Sequence, residues 1–148
     1  MATVRWVTDQ PLALEPLLAE TEDASCGALV VFAGTVRDHH EGNRVSALTY
    51  EAHASLAAAA IAAIEARYAT EGLRCRICHR TGALALGDTA VLVVVRAPHR
   101  REAFAAAEAA LEAVKREVPI WKHEHYVAGK SRWLNGQPLL PIDGDNDA

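Results

Sequence analysis

Two lysines bracket a proline in the stretch Lys115-Arg116-Glu117-Val118-Pro119-Ile120-Trp121-Lys122. Their spacing raises one chemical question: where the first ammonium points. The residues before Pro119 read as an amphipathic helix, whose larger apolar side chains are Phe104, Leu111, Val114 and Val118. At roughly 100° per residue these cover an arc of about 80°, and Lys115 falls about 20° beyond Phe104. Helical phase therefore puts Lys115 at the edge of a buried face. An ammonium there either snorkels to solvent or is desolvated, which lowers its pKa and prepares it for acid–base or nucleophilic work. Phase alone leaves both readings open. Pro119 ends the helix by removing a donor, so the direction of Lys122 is not set by helical phase.

A second set is basic. Arg37 follows an apolar run, and His99 and Arg100 sit where a strand gives way to a helix. Helix N-termini favour anions through their exposed N–H groups and dipole. Arginines placed there repel that dipole unless an anion is bound. Arg37, His99, Arg100, Lys115 and Lys122 are candidates to line one pocket for a phosphate or carboxylate. The alternative is a set of surface cations paired with acids such as Glu102.

Other strings carry less. Cys75-Arg76-Ile77-Cys78-His79 matches a haem-attachment pattern, but the segment alternates like a strand. An odd separation then sends the two thiols to opposite faces. His39-His40-Glu41 has metal-ligand types, yet adjacent side chains diverge and a polar loop explains it. The chain has no nucleophile elbow and no glycine-rich phosphate loop.

These groups need a scaffold. The 148 residues are 51% hydrophobic and 23% charged, which describes one globular domain. A net charge of −4 argues against a nucleic-acid surface. The apolar runs are too short to span a bilayer. Residues 1–10 show no signal-peptide pattern and the three cysteines suggest free thiols, so a cytoplasmic location is expected.

Strands are expected at 3–7, 28–36, 45–53, 73–80 and 89–97, the last being central. Helices are expected at 11–20, with Asp9 as cap and Pro16 as break, and at 55–70 and 101–118. Residues 37–44 and 81–88 read as loops, and 120–134 as a short mixed segment turning at Gly129. The pattern predicts an α+β fold: a mixed or antiparallel sheet covered by two long helices, with a small additional β subdomain. Residues 1–134 form the domain, and 135–148 an acidic, loosely held tail.

Several pieces, taken in order, resemble one family. They are Phe32 to Gly42 (FAGTVRDHHEG), Leu48 to His53 (LTYEAH), His79 to Asp88 (HRTGALALGD), Ala97 to Phe104 (APHRREAF), VKREVPIWKHE and a later SRWL. Together they resemble the large, catalytic subunit of molybdopterin synthase, the MoaE family. The resemblance implies sulfur transfer from the C-terminal Gly-Gly thiocarboxylate of a small ubiquitin-like carrier to cyclic pyranopterin monophosphate. The product is the dithiolene of molybdopterin, a step of molybdenum cofactor biosynthesis. It implies a homodimer flanked by two carriers, a heterotetramer, with no cofactor and no metal. It puts substrate contacts at Thr35, Val36, Arg37, His99, Arg100, Lys115, Lys122, His123 and Glu124, and catalysis at Lys115 and Lys122. His123 departs from the lysine or arginine that relatives often carry. A non-catalytic anion-binding or scaffold module is the alternative reading of the basic cluster.

Overall fold

The most apolar run of the sequence becomes the strand around which the rest is built. The computed structural model describes residues 6–70, 72–127 and 131–135. The elements are β1 (Val7–Thr8), α1 (Glu15–Glu20), β2 (Ala28–Thr35), β3 (His39–His40), β4 (Asn43–Ala52), α2 (Ala54–Tyr68), β5 (Arg74–Arg80), β6 (Gly82–Ala85), β7 (Thr89–Ala97), α3 (Arg100–Glu117), β8 (Ile120–Tyr126) and β9 (Ser131–Asn135). The first sheet has the order β1-β5-β7-β2, antiparallel except for the parallel β1–β5 pair. Strand β7 is apolar on both faces because both are covered. Val91, Val93, Val95 and Ala97 pack under α2 and α3. Leu92 and Val94 meet Leu17 of α1 and Cys78 on the other side.

The second sheet runs β3-β4-β8-β9, and β6 pairs with β4 as well. This is the expected α+β architecture, with the second sheet as the small β subdomain. No helix among the described residues is long and apolar enough to cross a membrane.

Local expectations differ in four places. Pro16 does not break the first helix; it occupies its first turn, where a missing N–H goes unneeded. The helix is accordingly short, begins after Leu14, and has no side-chain cap. Residues 37–44 hold a hairpin rather than a plain loop: β3 and β4 are joined through Glu41 and Gly42, both at positive φ (48° and 83°). That is the backbone a two-residue hairpin turn requires. Residues 82–85 form a strand paired to β4, and Ile120–Tyr126 and Ser131–Asn135 form the antiparallel pair β8 and β9. Gly129 and residues 136–148, almost all of the expected tail, lie outside the described residues, and Asn135 closes β9.

The buried face of α3 also differs from the expected one. It is Ala103, Ala106, Ala107, Ala110, Ala113 and Val114, whereas Phe104 is 63% exposed. Small side chains let the helix lie close on the valine-rich sheet. That face is centred roughly 140° from Lys115 at 100° per residue, so Lys115 is exposed rather than at a buried edge.

A buried carboxylate locks the other helix to the first sheet. Glu65 of α2 accepts from Trp6 Nε1 (2.7 Å), Arg76 Nε (2.8 Å) and the Ile77 amide (2.6 Å). Arg76 also pairs with Glu20 of α1. Glu65 thus ties α2 to the segment before β1 and to β5, and Arg76 extends the network to α1.

Candidate active site

Strand β8 carries the polar heart of the second sheet. Its even positions, Ile120, Lys122, Glu124 and Tyr126, share one face; Trp121, His123 and His125 share the other. Register puts Lys122 opposite Tyr50 and Glu124 opposite Leu48 on β4. That face meets the apolar cluster of Val36, Leu48, Leu84 and Ala90, with Tyr50 against it. The ammonium of Lys122 therefore rises from a largely apolar surface, its side chain 23% exposed.

Glu124 lies beside it, buried, with Oε1 3.9 Å from Lys122 Nζ. His40 of the β3–β4 hairpin reaches the same oxygen from another direction, its Nε2 at 3.7 Å, and stands 3.6 Å from Glu41. Burial, reinforced by the Glu124 charge, pushes the Tyr50 hydroxyl up to about 12. It stays a protonated phenol at neutral pH. His79 packs edge-on against Tyr50, ring centroids 4.8 Å apart. Burial takes its pKa down to about 4. Its Nδ1 is 2.8 Å from the Arg80 carbonyl and so carries the proton of a neutral ring.

Thr35, Val36 and Arg37 leave the end of β2. The β2–β7 register shifts between Gly34 and Thr35. A Cβ at Gly34 would stand 2.7 Å from Val91 Cγ1, so only glycine lets the strands approach there. Val36 is buried and clamped: its amide donates to the Asp88 carbonyl (2.9 Å), and its carbonyl accepts from the Gly87 amide (2.8 Å). Thr35 and Arg37 are exposed on either side of that clamp.

His99 is the N-cap residue of α3, extended at φ −132°, and its side chain makes no capping hydrogen bond. Both it and Arg100 are exposed. Lys115 lies in the last turn of the same helix, where a cation suits the dipole. Arg100 and Lys115 are fifteen positions apart on one unbroken helix, about 22 Å at 1.5 Å per residue. The structure therefore brings Lys122 and Glu124 together, but within one chain it holds His99 and Arg100 far from Lys115. His123 stands on the face of β8 opposite Lys122, its ring tilted against that of His125 with centroids 4.4 Å apart.

The sequence did not place His40, Tyr50 and His79 at this site; His40 and His79 stood out only in the metal-ligand and haem-attachment strings. Only strand register brings them to Glu124, although the period-two placement of Tyr50 beside Leu48 was visible. Cys75 packs in the core under α2 and α3 and Cys78 in the core under α1, on opposite faces of β5. Burial pushes their thiols up to about 12 and about 11, which leaves them unsuited to thiolate chemistry.

Comparison with known proteins adds the following. Residues 7–117 match the family model described as MoaE protein. The chain is 42% identical over 134 residues to molybdopterin synthase catalytic subunit 1 of Mycobacterium tuberculosis, covering 89% of this chain and 90% of that protein. It is 38% identical over 133 residues to the molybdopterin synthase catalytic subunit of Bacillus subtilis, covering 88% and 84%. The crystal structure of molybdopterin synthase from Staphylococcus aureus superposes with a TM-score of 0.83 at 35% identity, covering 90% of this chain and 98% of that one.

Proposed function

Because the chain belongs to the MoaE protein family, we propose that it is the catalytic subunit of a molybdopterin synthase. It moves sulfur from the thiocarboxylate of a small carrier protein to cyclic pyranopterin monophosphate. The observation in the site that carries this reading is Lys122, a half-buried ammonium beside a buried carboxylate on an apolar sheet face.

The chemistry suits these groups. A thiocarboxylate is an anion, and its sulfur is the nucleophile. Lys122 and Lys115 attract it and supply or accept the protons that the transfer moves. Each transfer makes one carbon–sulfur bond on the pterin and breaks a carbon–oxygen bond at the same carbon, the oxygen leaving as water or staying on the opened phosphate. Water then replaces sulfur on the carrier's acyl carbon, leaving an ordinary carboxylate. Two transfers complete the dithiolene, and the cyclic phosphate opens on the way. Arg37, His99 and Arg100 hold the phosphate by charge-assisted hydrogen bonds, with Thr35, Val36, His123 and Glu124 around the pterin. Nothing in this sequence of steps calls for a nucleotide or a metal. The reading places the reaction in the cytoplasm.

The length of α3 shapes the assembly. His99 and Arg100 meet Lys115 and Lys122 only if they come from a second copy of the chain. A two-fold dimer supplies that arrangement twice. Its contact surface is supported by the edge strand β2, which exposes Leu29, Val31 and Phe32, and by the exposed Phe104 of α3. Two carriers on this dimer make the heterotetramer.

The test mixes the protein with thiocarboxylated carrier and cyclic pyranopterin monophosphate and measures dithiolene product. Wild type forms product, and Lys115→Ala loses about two orders of magnitude or more. No product from wild type, or full product from Lys115→Ala, overturns the reading. Binding of the phosphate ligand without turnover would instead favour the anion-binding module.

A further inference from the structure

Glu124 is the most deeply buried carboxylate among the described residues, at 2% exposure. Its Oε1 has no hydrogen bond of normal length among them. Two basic side chains from two elements face that oxygen: Lys122 of β8 at 3.9 Å and His40 of β3 at 3.7 Å. A buried carboxylate is costly unless cations or donors surround it. Sharing it between two bases has a consequence for each. Whatever positive potential the imidazole contributes reduces the negative potential felt by the lysine.

We propose that His40 is a positioning residue for Lys122: by sharing the buried carboxylate of Glu124, it keeps the lysine from pairing fully with it and so holds the ammonium ready to give up a proton. The proposal rests on the functional reading above only for the use made of that proton. The juxtaposition itself is independent of it.

The geometry gives His40 its rigidity. It is buried (5% exposed) and opens the two-residue turn whose Glu41 and Gly42 both take positive φ. Register with Asn43 fixes it across the hairpin, and the Val45 amide donates to the Asp38 carbonyl at 2.7 Å. An imidazole on so tight a hairpin has little freedom to leave Glu124. Lys122, on its flexible stem, is the partner able to move when an anionic substrate arrives. The other described side chains facing this cluster are Glu41 on the hairpin and Tyr50 on β4 with His79 behind it. Tyr50 keeps its proton up to about pH 12 and His79 is neutral above about pH 4, so neither changes charge while Lys122 is labelled.

The experiment labels lysine amines with a trace of acetic anhydride across pH and reads each site by peptide mass spectrometry. It needs no substrate, and exposed Lys115 serves as the internal control. In His40→Ala the full charge of Glu124 faces Lys122, so its labelling midpoint rises by about half a pH unit or more, while that of Lys115 stays put. His40→Gln keeps a donor at the Nε2 position and restores most of the wild-type midpoint. Glu124→Gln moves the midpoint down, which provides a reading even if His40→Ala does not fold. An unchanged Lys122 midpoint in folded His40→Ala or in Glu124→Gln overturns the proposal, as does a His40→Gln midpoint displaced as far as that of His40→Ala. Failure of the functional reading shows elsewhere, as absent dithiolene formation with these midpoints intact.

Discussion

Two inactive variants, mixed, should make an active enzyme. Arg100→Ala removes a phosphate-holding cation at one end of α3, and Lys115→Ala removes the proposed catalytic amine at the other. The two positions are about 22 Å apart along a single helix. A cyclic monophosphate fused to a pterin does not bridge that distance while reacting at one end. If the site instead spans two copies, each site draws Lys115 from one chain and Arg100 from the other. A dimer with one chain of each variant then has one site carrying both defects and one carrying neither. Random exchange of two-fold dimers makes about half of them mixed, each with one of its two sites intact. The expected recovery is about a quarter of wild-type activity, against separate variants each reduced about a hundredfold or more. The assay co-expresses the two chains with different affinity tags, isolates the doubly tagged dimer and measures dithiolene formation. In that purified mixed dimer the expected activity is about half of wild type. Activity no greater than that of the separate variants refutes the shared site.

Glu65→Ala strands the Ile77 amide and takes from Arg76 one of its two carboxylate partners at a part-buried junction, and should cost about 3 kcal/mol; a denaturant midpoint unchanged from wild type counts against that network. Burial holds the thiols of Cys75 and Cys78 near 12 and 11, so a thiol reagent at pH 8 should modify Cys26 alone in the native protein and all three after unfolding. Rapid labelling of the buried pair without unfolding contradicts the packing. His79 has its folded pKa depressed to about 4 from 6.5, so the unfolded chain takes up the proton first as pH falls. Its contribution is fully present above about pH 6.5, declines between there and pH 4, and is of the order of 3 kcal/mol. Denaturation at pH 7 and 4.5 should show that loss, and His79→Phe should reduce it; an equal loss in the variant removes His79 as its source.

The sequence carried the fold class and the family. Alternation and β-branched runs located the sheet strands, and two alanine-rich periodic stretches located α2 and α3, because those patterns are properties of one element and the environment it needs. Ordered motifs carried the chemistry for the same reason: residue type and spacing are written in the chain. What escaped were features that depend on a partner element. Residues 82–85 look like a turn until β4 offers them an edge. The sequence Glu41-Gly42 announces a hairpin less plainly than asparagine-glycine does.

Helical phase misplaced Lys115 for an instructive reason. Weighting Phe104 and Leu111 chose the face with the largest side chains, but α3 lies on a sheet of valines where alanine fits. Phe104 is left exposed, on a surface that a second copy is proposed to cover. One-dimensional hydrophobicity records how apolar a side chain is; only the tertiary structure decides whether there is room for it. The same division holds at the site. The sequence put Lys122 and Glu124 two residues apart, which in a strand means one face. It gave no sign that His40, eighty-four positions before Glu124, reaches the same carboxylate oxygen, because that meeting is made by the register of β4 against β3 and β8. Nor did it show that one helix separates His99 and Arg100 from Lys115, since proximity in a pocket is set by the rigid length of α3 and not by membership of a common motif set.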